Sequence, residues 1–442
     1  MVNVRETALK LLVKTFREDA YSNYLYESAA TNRDWSQTDR AFLKALYFGV
    51  LRQMLLLDRL IGAKCRSPYR KVPDIIKMIL RLGLYQILFM DRVPHSAAVS
   101  ESVTLAKRYG HQGTAGLVNA ILRRYSEEKD TVKALLGQWD RQDPAQISSF
   151  TSHPLWIVER YIGEFGLEKG VGILEANNGL PPKNFRVADW RRFEQLTAET
   201  DIGIEKNLFN KLGASIEKAP RELIDKFKYE NIAFPQDQSS LIASSLMDGC
   251  QGDGLELCCG RGNKTGAIAE YIDNKSFICS IDLSVNKLKV LKQQNQKHLD
   301  RIIAICSDAL KPLPFRKKFG WIFLDAPCSN LGTTRRHPEI KYRKTPEAVR
   351  ESAGVQSAAL ANAARYLAEG GRILYAVCSI EREETTGVVE QFLSSTPGFA
   401  LADISAQRPD LAEAGLTDGK CLRIFPGSHG MDGFFSAIFE RR

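Results

Sequence analysis

Long apolar runs are missing from this chain. The longest greasy stretch, Ile79 to Met90, is about 12 residues and carries Arg81, well short of the roughly 20 that a membrane-spanning helix needs. No membrane is therefore expected as a partner. Paired cysteine spacing is missing too. Nine cysteines form neither a CxxC nor a CxxxxH pattern, which argues against a disulfide framework and against a structural zinc site. The thiols should be reduced, and no metal is expected. Nothing repeats internally, no low-complexity tract is present, and no G-x-G-x-x-G appears, so a dinucleotide site is poorly supported. Met1 to Phe16 interleaves Arg5, Glu6, Lys10 and Lys14 with apolar residues. It reads as an amphipathic helix and not as a secretory signal, and a cytosolic protein is expected.

What is present suits a globular protein. With 442 residues, 44% of them hydrophobic and 26% charged, the chain has room for two or three domains, each with its own core. The net charge of +9 is unevenly spread. Residues 1–150 hold 23 Lys+Arg against 15 Asp+Glu, residues 301–350 hold 11 against 4, and the remainder is slightly acidic. Such a distribution suits a polyanion such as nucleic acid, and it equally suits a solvated surface.

From Val2 to about Ser126 apolar residues recur at helical spacing. Asp39 to Leu60 and Asp74 to Met90 are the clearest helices; another starts near Pro94 and stops at Gly110, and Thr114 to Tyr125 follows. Asp143 to Ser149 is polar and contains Pro144, which marks a domain boundary. The reading is an all-helical domain over 1–142, a connecting α+β subdomain over 143–234 with a strand at Phe185 to Asp189, and an α/β domain over 235–442. In that last part strands and helices alternate as in a doubly wound sheet. Strands are expected at Gly254 to Cys258, Phe277 to Ile281, Ile302 to Cys306, Trp321 to Leu324 and Arg372 to Val377. A helix over Glu347 to Ala368 separates the last two, and Gly433 to Arg441 supplies a final strand at the sheet edge.

Ligands of an open α/β sheet bind beyond the carboxyl ends of its strands. Here the five strand ends carry Cys258 with a glycine loop, Asp282, Asp308, Asp325 and Cys378. In the loop Cys258-Cys259-Gly260-Arg261-Gly262-Asn263-Lys264 the glycines let backbone approach a ligand at a helix N-terminus. Asp282 lies 22 residues beyond Gly260, the separation at which an acid accepts ribose hydroxyls, so a ribose-bearing cofactor is favoured over structural turns. Asp308 reaches the adenine amino group or simply caps a helix.

Two resemblances sharpen this. Asp39 to Gln53, then Val93 to Gly110, then Gly116 to Arg124, looks like the NusB-type helical RNA-binding domain. Asp325-Ala326-Pro327-Cys328-Ser329 with Arg335-Arg336-His337-Pro338, Tyr375-Ala376-Val377-Cys378-Ser379, Asp432-Gly433-Phe434-Phe435 and Pro235-Gln236-Asp237-Gln238-Ser239-Ser240 resemble the S-adenosylmethionine-dependent RNA cytosine-C5 methyltransferases, the Nop/Sun family. Taken whole, the chain is similar to the bacterial Sun/Fmu (RsmB) type acting on small-subunit (16S) ribosomal RNA. One segment departs from the pattern: the family loop reads like C-A-A-P-G-G-K, and here Arg261 and Asn263 replace the proline and a glycine.

The resemblance implies a Rossmann-like methyltransferase domain binding S-adenosylmethionine through Cys258 to Lys264, Asp282, Asp308 and Asp325, with ribosomal RNA as partner and a monomeric chain. It implies that Cys378 attacks carbon 6 of cytosine, that Cys328 removes the carbon 5 proton to release the enzyme, and that Asp325, with a raised pKa, donates a hydrogen bond near N3. A helix from about Glu381 would favour the Cys378 thiolate; Glu381, Glu383 and Glu384 would oppose it. Arg335 and Arg336 bind RNA phosphates or belong to ordinary surface, and His337 packs in a turn. Cys258 and Cys259 offer backbone to the cofactor. Cys65, Cys250, Cys279, Cys306 and Cys421 read as buried small hydrophobes. The rival readings are a non-catalytic RNA-binding assembly factor and a cytosine methyltransferase acting on tRNA.

Overall fold

The computed structural model describes residues 3–18, 20–32, 35–200, 202–217 and 219–442. Met1 and Val2, where the first helix was expected to begin, lie outside them. The chain divides into two compact units, residues 1–179 with 334–343, and residues 180–333 with 344–442.

The first unit is helical: α1 Val4–Arg17, α2 Ser22–Ala30, α3 Gln37–Arg52, α4 Met54–Lys64, α5 Asp74–Phe89, α6 His95–Tyr109, α7 Gln112–Glu127, α8 Lys129–Leu136, α9 Pro144–Thr151, α10 Leu155–Phe165 and α11 Leu167–Asn177. Local chemistry sets its starts. Asn3 caps α1 by accepting from the Arg5 and Glu6 amides, and Ser36 with Asp39 forms a reciprocal capping box at α3. Helix α5 is the most buried, and its one interior charge, Arg81, is held by both oxygens of Asp58 at 2.7 Å. That pairing explains how an arginine sits in the greasiest stretch of the chain.

Pro144 does not mark the boundary between the units. It is the first residue of α9, where a missing N–H costs nothing, and Asp143 caps the same turn. Ser152, beyond the end of α9, accepts the Leu55 amide of α4 at 2.7 Å. The helices over 144–177 therefore belong with the helical unit, and the division falls at Gly179.

The same unit takes up residues 334–343. Buried Glu339 accepts from the Ser22 amide at 2.8 Å and from its hydroxyl at 2.5 Å. Tyr342 donates to the Leu51 carbonyl at 2.9 Å, and buried Lys341 to the Arg52 carbonyl and the Asn178 amide oxygen.

The second unit opens with a four-stranded antiparallel sheet, β1 Lys183–Val187, β2 Ile204–Lys206, β3 Gly213–Ile216 and β4 Ala233–Pro235, in the order β2-β3-β1-β4. Phe185, Phe193 and Phe227 fill its core. The larger sheet consists of β5 Gly254–Leu257, β6 Ile278–Asp282, β7 Ile302–Cys306, β8 Phe319–Asp325, β9 Leu367–Val377, β10 Phe399–Leu401, β11 Thr417–Asp418, β12 Cys421–Ile424 and β13 Phe434–Arg441. Its order is β11-β12-β13-β9-β8-β5-β6-β7, with β10 on β13. Strands β5 to β9 are parallel, and the order reverses between β6 and β8 around central β5.

The expected edge strand lies inside the sheet. Strand β13 pairs antiparallel with β9 from Phe435↔Val377 to Glu440↔Arg372, and its other side is covered by β12. Strands β10 to β12 span two to four residues each, too short for alternation to reveal. The long helix runs Pro346–Ala364. Strand β9 takes over at Leu367 and passes through Gly370 in the left-handed region.

Candidate active site

The five strand-end residues named from sequence gather at the carboxyl edge of the parallel strands, around the switch at β5. Cys258 leaves β5 with φ of 59°, followed by Gly260 at 58° and Gly262 at 81°. That succession of left-handed residues folds the loop back on itself, with the Cys259 and Gly262 amides taken by the Ile281 and Cys259 carbonyls. Gly262 cannot be replaced by a bulkier residue: a Cβ there would meet Leu291 at 2.5 Å and Asn295 at 2.7 Å. Arg261 and Asn263, the departures from the family loop, are both exposed and leave this backbone path intact. Lys264 lies in the first turn of the helix Asn263–Ile268.

Asp282 ends β6. Its Oδ2 accepts the Gly260 amide and its Oδ1 the Ser284 amide, each at 2.9 Å. The acid thus holds the glycine loop and keeps lone pairs for ribose hydroxyls. Half-buried Asp308 accepts the Leu310 amide at 2.9 Å, as a turn residue does. The open space around Gly260 and the Asp282 and Asp308 carboxylates beside it fit S-adenosylmethionine: room for the ligand along the loop and acceptors for its ribose.

Beneath the loop, Glu256 of β5 is fully buried and accepts from Thr265 Oγ1 at 2.6 Å and Ser280 Oγ at 2.7 Å. Burial pushes its carboxyl up to about 7. Asp325, ending the adjacent β8, pairs with Lys264 at 2.6 Å. Its Oδ2 accepts from the Lys264 ammonium. Burial disfavours the Lys264 charge, but Asp325 and the two thiols outweigh it and hold the pKa above the usual lysine value.

The two thiols come together. Cys328 and Cys378 follow the ends of neighbouring strands β8 and β9, and their Sγ atoms are 3.3 Å apart. Asn330 Oδ1 accepts from Cys378 at 2.9 Å and from Cys328 at 3.5 Å. Its hydrogen bond to Cys378, followed by burial, drives the Cys328 pKa well above the usual thiol range. Cys328 accordingly keeps its proton. No helix begins at Glu381. A short 3-10 turn, Arg382–Glu384, comes first, and the helix is Thr386–Ser395, so the expected dipole lies farther along the chain.

Sequence reasoning missed the scaffold behind the thiols. Glu384, treated above as one of three opposing charges, is buried and accepts from Ser329 N at 2.6 Å, Ser329 Oγ at 2.5 Å and Gln356 Nε2 at 3.1 Å. Gln356 also donates to the Pro327 carbonyl at 3.0 Å. These bonds tie the Cys328 loop to the segment after Cys378. Gly332 closes the other side: its amide donates to the Cys378 carbonyl at 3.1 Å, and its carbonyl accepts from Gly433 at 2.8 Å. Asp237 of the upstream motif accepts the Asp432 amide at 3.2 Å and Asn184 Nδ2 at 3.1 Å. Four motifs far apart in sequence are thereby pinned to one another. Asn330 at φ of 63° was the one signal available, since Asn tolerates that region after a strand.

Other expectations come out differently. Arg335 is buried, and Arg336 and His337 are half-buried within the helical unit. An outward-facing phosphate grip does not describe Arg335, whose carbonyl accepts from Arg52 at 3.1 Å. Burial lowers the His337 pKa, and its ring packs on Tyr21 at 5.3 Å. Cys250, Cys279 and Cys421 are buried as expected, Cys65 is partly so, and Cys306 is exposed.

Fold and site together define a class, the methyltransferases that bind S-adenosylmethionine on a Rossmann-like sheet. Residues 250–440 match the family model described as 16S rRNA methyltransferase RsmB/F, and residues 2–127 match the NusB family. The probable ribosomal RNA small subunit methyltransferase B of Bacillus subtilis is 30% identical over 100% of this chain and 99% of its own length. Ribosomal RNA small subunit methyltransferase B of Pseudomonas putida is 31% identical over 91% of this chain and 90% of its own. Among solved structures, that of PH0851 superposes with a TM-score of 0.80 at 20% identity, covering 100% of this chain and 99% of that one. The chain belongs to the ribosomal RNA small subunit methyltransferase B family, and its cofactor is S-adenosylmethionine.

Proposed function

We propose that the protein methylates carbon 5 of a cytosine in small-subunit (16S) ribosomal RNA through a covalent adduct between Cys378 and carbon 6. The observation that carries this reading is the pair of thiols 3.3 Å apart beside the Lys264–Asp325 pair. Carbon 5 of cytosine is a poor nucleophile until a group adds to carbon 6. Two sulfurs divide the work, one to make that bond and one to help break it.

Cys378 attacks carbon 6 as the thiolate, with Cys328 retaining its proton. Negative charge then grows toward N3, where the Lys264 ammonium supplies positive charge and a proton and Asp325, its ion-pair partner, orients it. S-adenosylmethionine, held by the glycine loop and Asp282, supplies the methyl group to carbon 5. The contact that raised the Cys328 pKa is with Cys378; once that sulfur is bonded to carbon, Cys328 gives its own proton to solvent water and, as the thiolate, takes the carbon 5 proton, while N3 returns its proton to Lys264. Loss of the carbon 5 proton restores the ring double bond and expels Cys378. A base inside a stack is out of reach of these groups, so the target is an unpaired or extruded cytosine, at a cost of a few kcal/mol.

The test is nucleoside analysis of an unmodified 16S rRNA transcript after incubation with protein and cofactor. One 5-methylcytidine per transcript is expected. No methylated product on 16S rRNA, with efficient methylation of a tRNA transcript, would contradict the substrate.

A further inference from the structure

The amino-terminal edge of the same sheet carries a feature that the catalytic chemistry does not use. A cavity of about 610 Å³ opens where β8 and β9 begin and β13 ends, and five cations line it: Arg316, Lys317, Lys318, Arg365 and Arg441. Among the described residues no carboxylate lines it. Lys317 pairs with Asp253 at 2.7 Å; among the described residues no acid lies within ion-pair distance of the other four.

Three of these cations, Lys317, Lys318 and Arg441, have their charged ends held by protein partners. The Leu313 amide donates to Tyr366 Oη at 2.7 Å and fixes the loop that presents Arg316 to Lys318. Phe315 packs edge-on against both Phe319 and Tyr366. The Lys318 ammonium donates to the Arg365 carbonyl, and Arg441 Nη1 donates to the Leu367 carbonyl at 2.7 Å. Cations already ordered lose little freedom when an anion arrives. Arg316, Lys317, Lys318 and Arg365 are exposed, so the charge faces solvent.

We propose that this cavity is a second RNA-binding site, which takes the phosphodiester backbone of a flank of the substrate while the target base occupies the thiol site. The proposal rests on the RNA-methylating reading above. Strand β8 runs from Phe319 at this cavity to Asp325 at the reacting edge, about 20 Å for seven residues, a span that a folded RNA covers readily. The cavity presents four unmatched positive charges, the chemistry that recognises backbone phosphate and not base sequence. Part of the basic excess of residues 301–350 thereby gains a use, since Arg335 and Lys341 of the same band are buried in the helical unit.

The test compares the full-length protein with an Arg316→Glu/Lys318→Glu/Arg365→Glu variant. Binding of an unmodified 16S rRNA transcript should weaken at least tenfold, at about 0.1 M salt, and the slope of log affinity against log salt should become shallower by roughly 2 to 3. Affinity for S-adenosylmethionine and kcat at saturating RNA should not change, so the loss appears in KM. If the triple variant fails to fold, Arg316→Gln/Arg365→Gln is used, with a slope change of about 1 to 2 expected. Unchanged affinity and slope in a folded variant would overturn the proposal. So would tight, variant-sensitive binding of inorganic pyrophosphate by the wild type with RNA affinity unaltered, which would assign the cavity to a small polyphosphate. Wild-type protein that binds RNA through this cavity but forms no methylated product would instead refute the catalytic reading and leave the cavity standing.

Discussion

In the proposed mechanism Cys328, Asn330 and Cys378 form the smallest reacting unit, and Asn330 is the member that a strand-end reading overlooks. Its amide oxygen accepts from Cys378 at 2.9 Å and from Cys328 at 3.5 Å, and so fixes where the two sulfurs sit. Its φ of 63° costs a non-glycine residue on the order of 1 kcal/mol. Asn330→Gly removes the acceptor and relieves the strain together. The methylation kcat should fall several-fold with no loss of thermal stability; an unchanged kcat would remove Asn330 from the account. Glu384 illustrates the opposite lesson. Sequence places three glutamates after Cys378, and only packing tells which one turns inward. Glu384→Ala would leave two donors of Ser329 and one of Gln356 unpaired, a loss of roughly 3 kcal/mol in urea denaturation, whereas Glu384→Gln should recover part of it.

Among the elements, strand β5 and its loop were the most legible. The run Gly254 to Cys258, the loop glycines and Asp282 were placed from pattern alone, because a strand-turn-helix unit needs glycine where φ is positive and an acid where ribose is held. Gly262→Ala would press a Cβ to 2.5 Å from Leu291, and S-adenosylmethionine affinity measured by calorimetry should fall tenfold or more, about 1.4 kcal/mol or above. Glu256 on the same strand was not legible, since nothing in Leu-Glu-Leu announces a buried carboxyl. With its pKa raised to about 7, the folded state binds a proton that the unfolded chain, with an ordinary carboxyl near 4.5, has released. Its contribution to stability is full below about pH 4.5 and is lost as pH rises toward 7. Glu256→Gln should flatten the decline in stability between about pH 5 and pH 7.5, read from urea curves across that range. The short strands β10 to β12 escaped the sequence for a different reason: two to four residues cannot display a period of two. Their omission is what made β13 look like an edge.

In the molecule as a whole, both sulfur motifs and the order of a helical part before an α/β part could be read from sequence. The point of division could not, because Pro144 signals a break or a helix start with equal local logic, and only the seating of Ser152 on α4 decides. Residues 334–343 are a second case. Their charges suggested surface, yet Glu339, Lys341 and Tyr342 bond into the helical unit, and Gly332, two residues before that segment, bonds to the Cys378 backbone. The chain therefore passes directly from the reacting loop into the helical unit. The central claim, that Cys378 attacks and Cys328 releases, is tested by incubating an unmodified 16S rRNA transcript and cofactor with Cys328→Ala and Cys378→Ala proteins and resolving the mixtures on a denaturing gel. The expected result is a protein–RNA adduct that survives denaturation for Cys328→Ala, and neither adduct nor methylated product for Cys378→Ala. Full activity of Cys378→Ala, or an adduct trapped in it while Cys328→Ala turns over, would contradict the account.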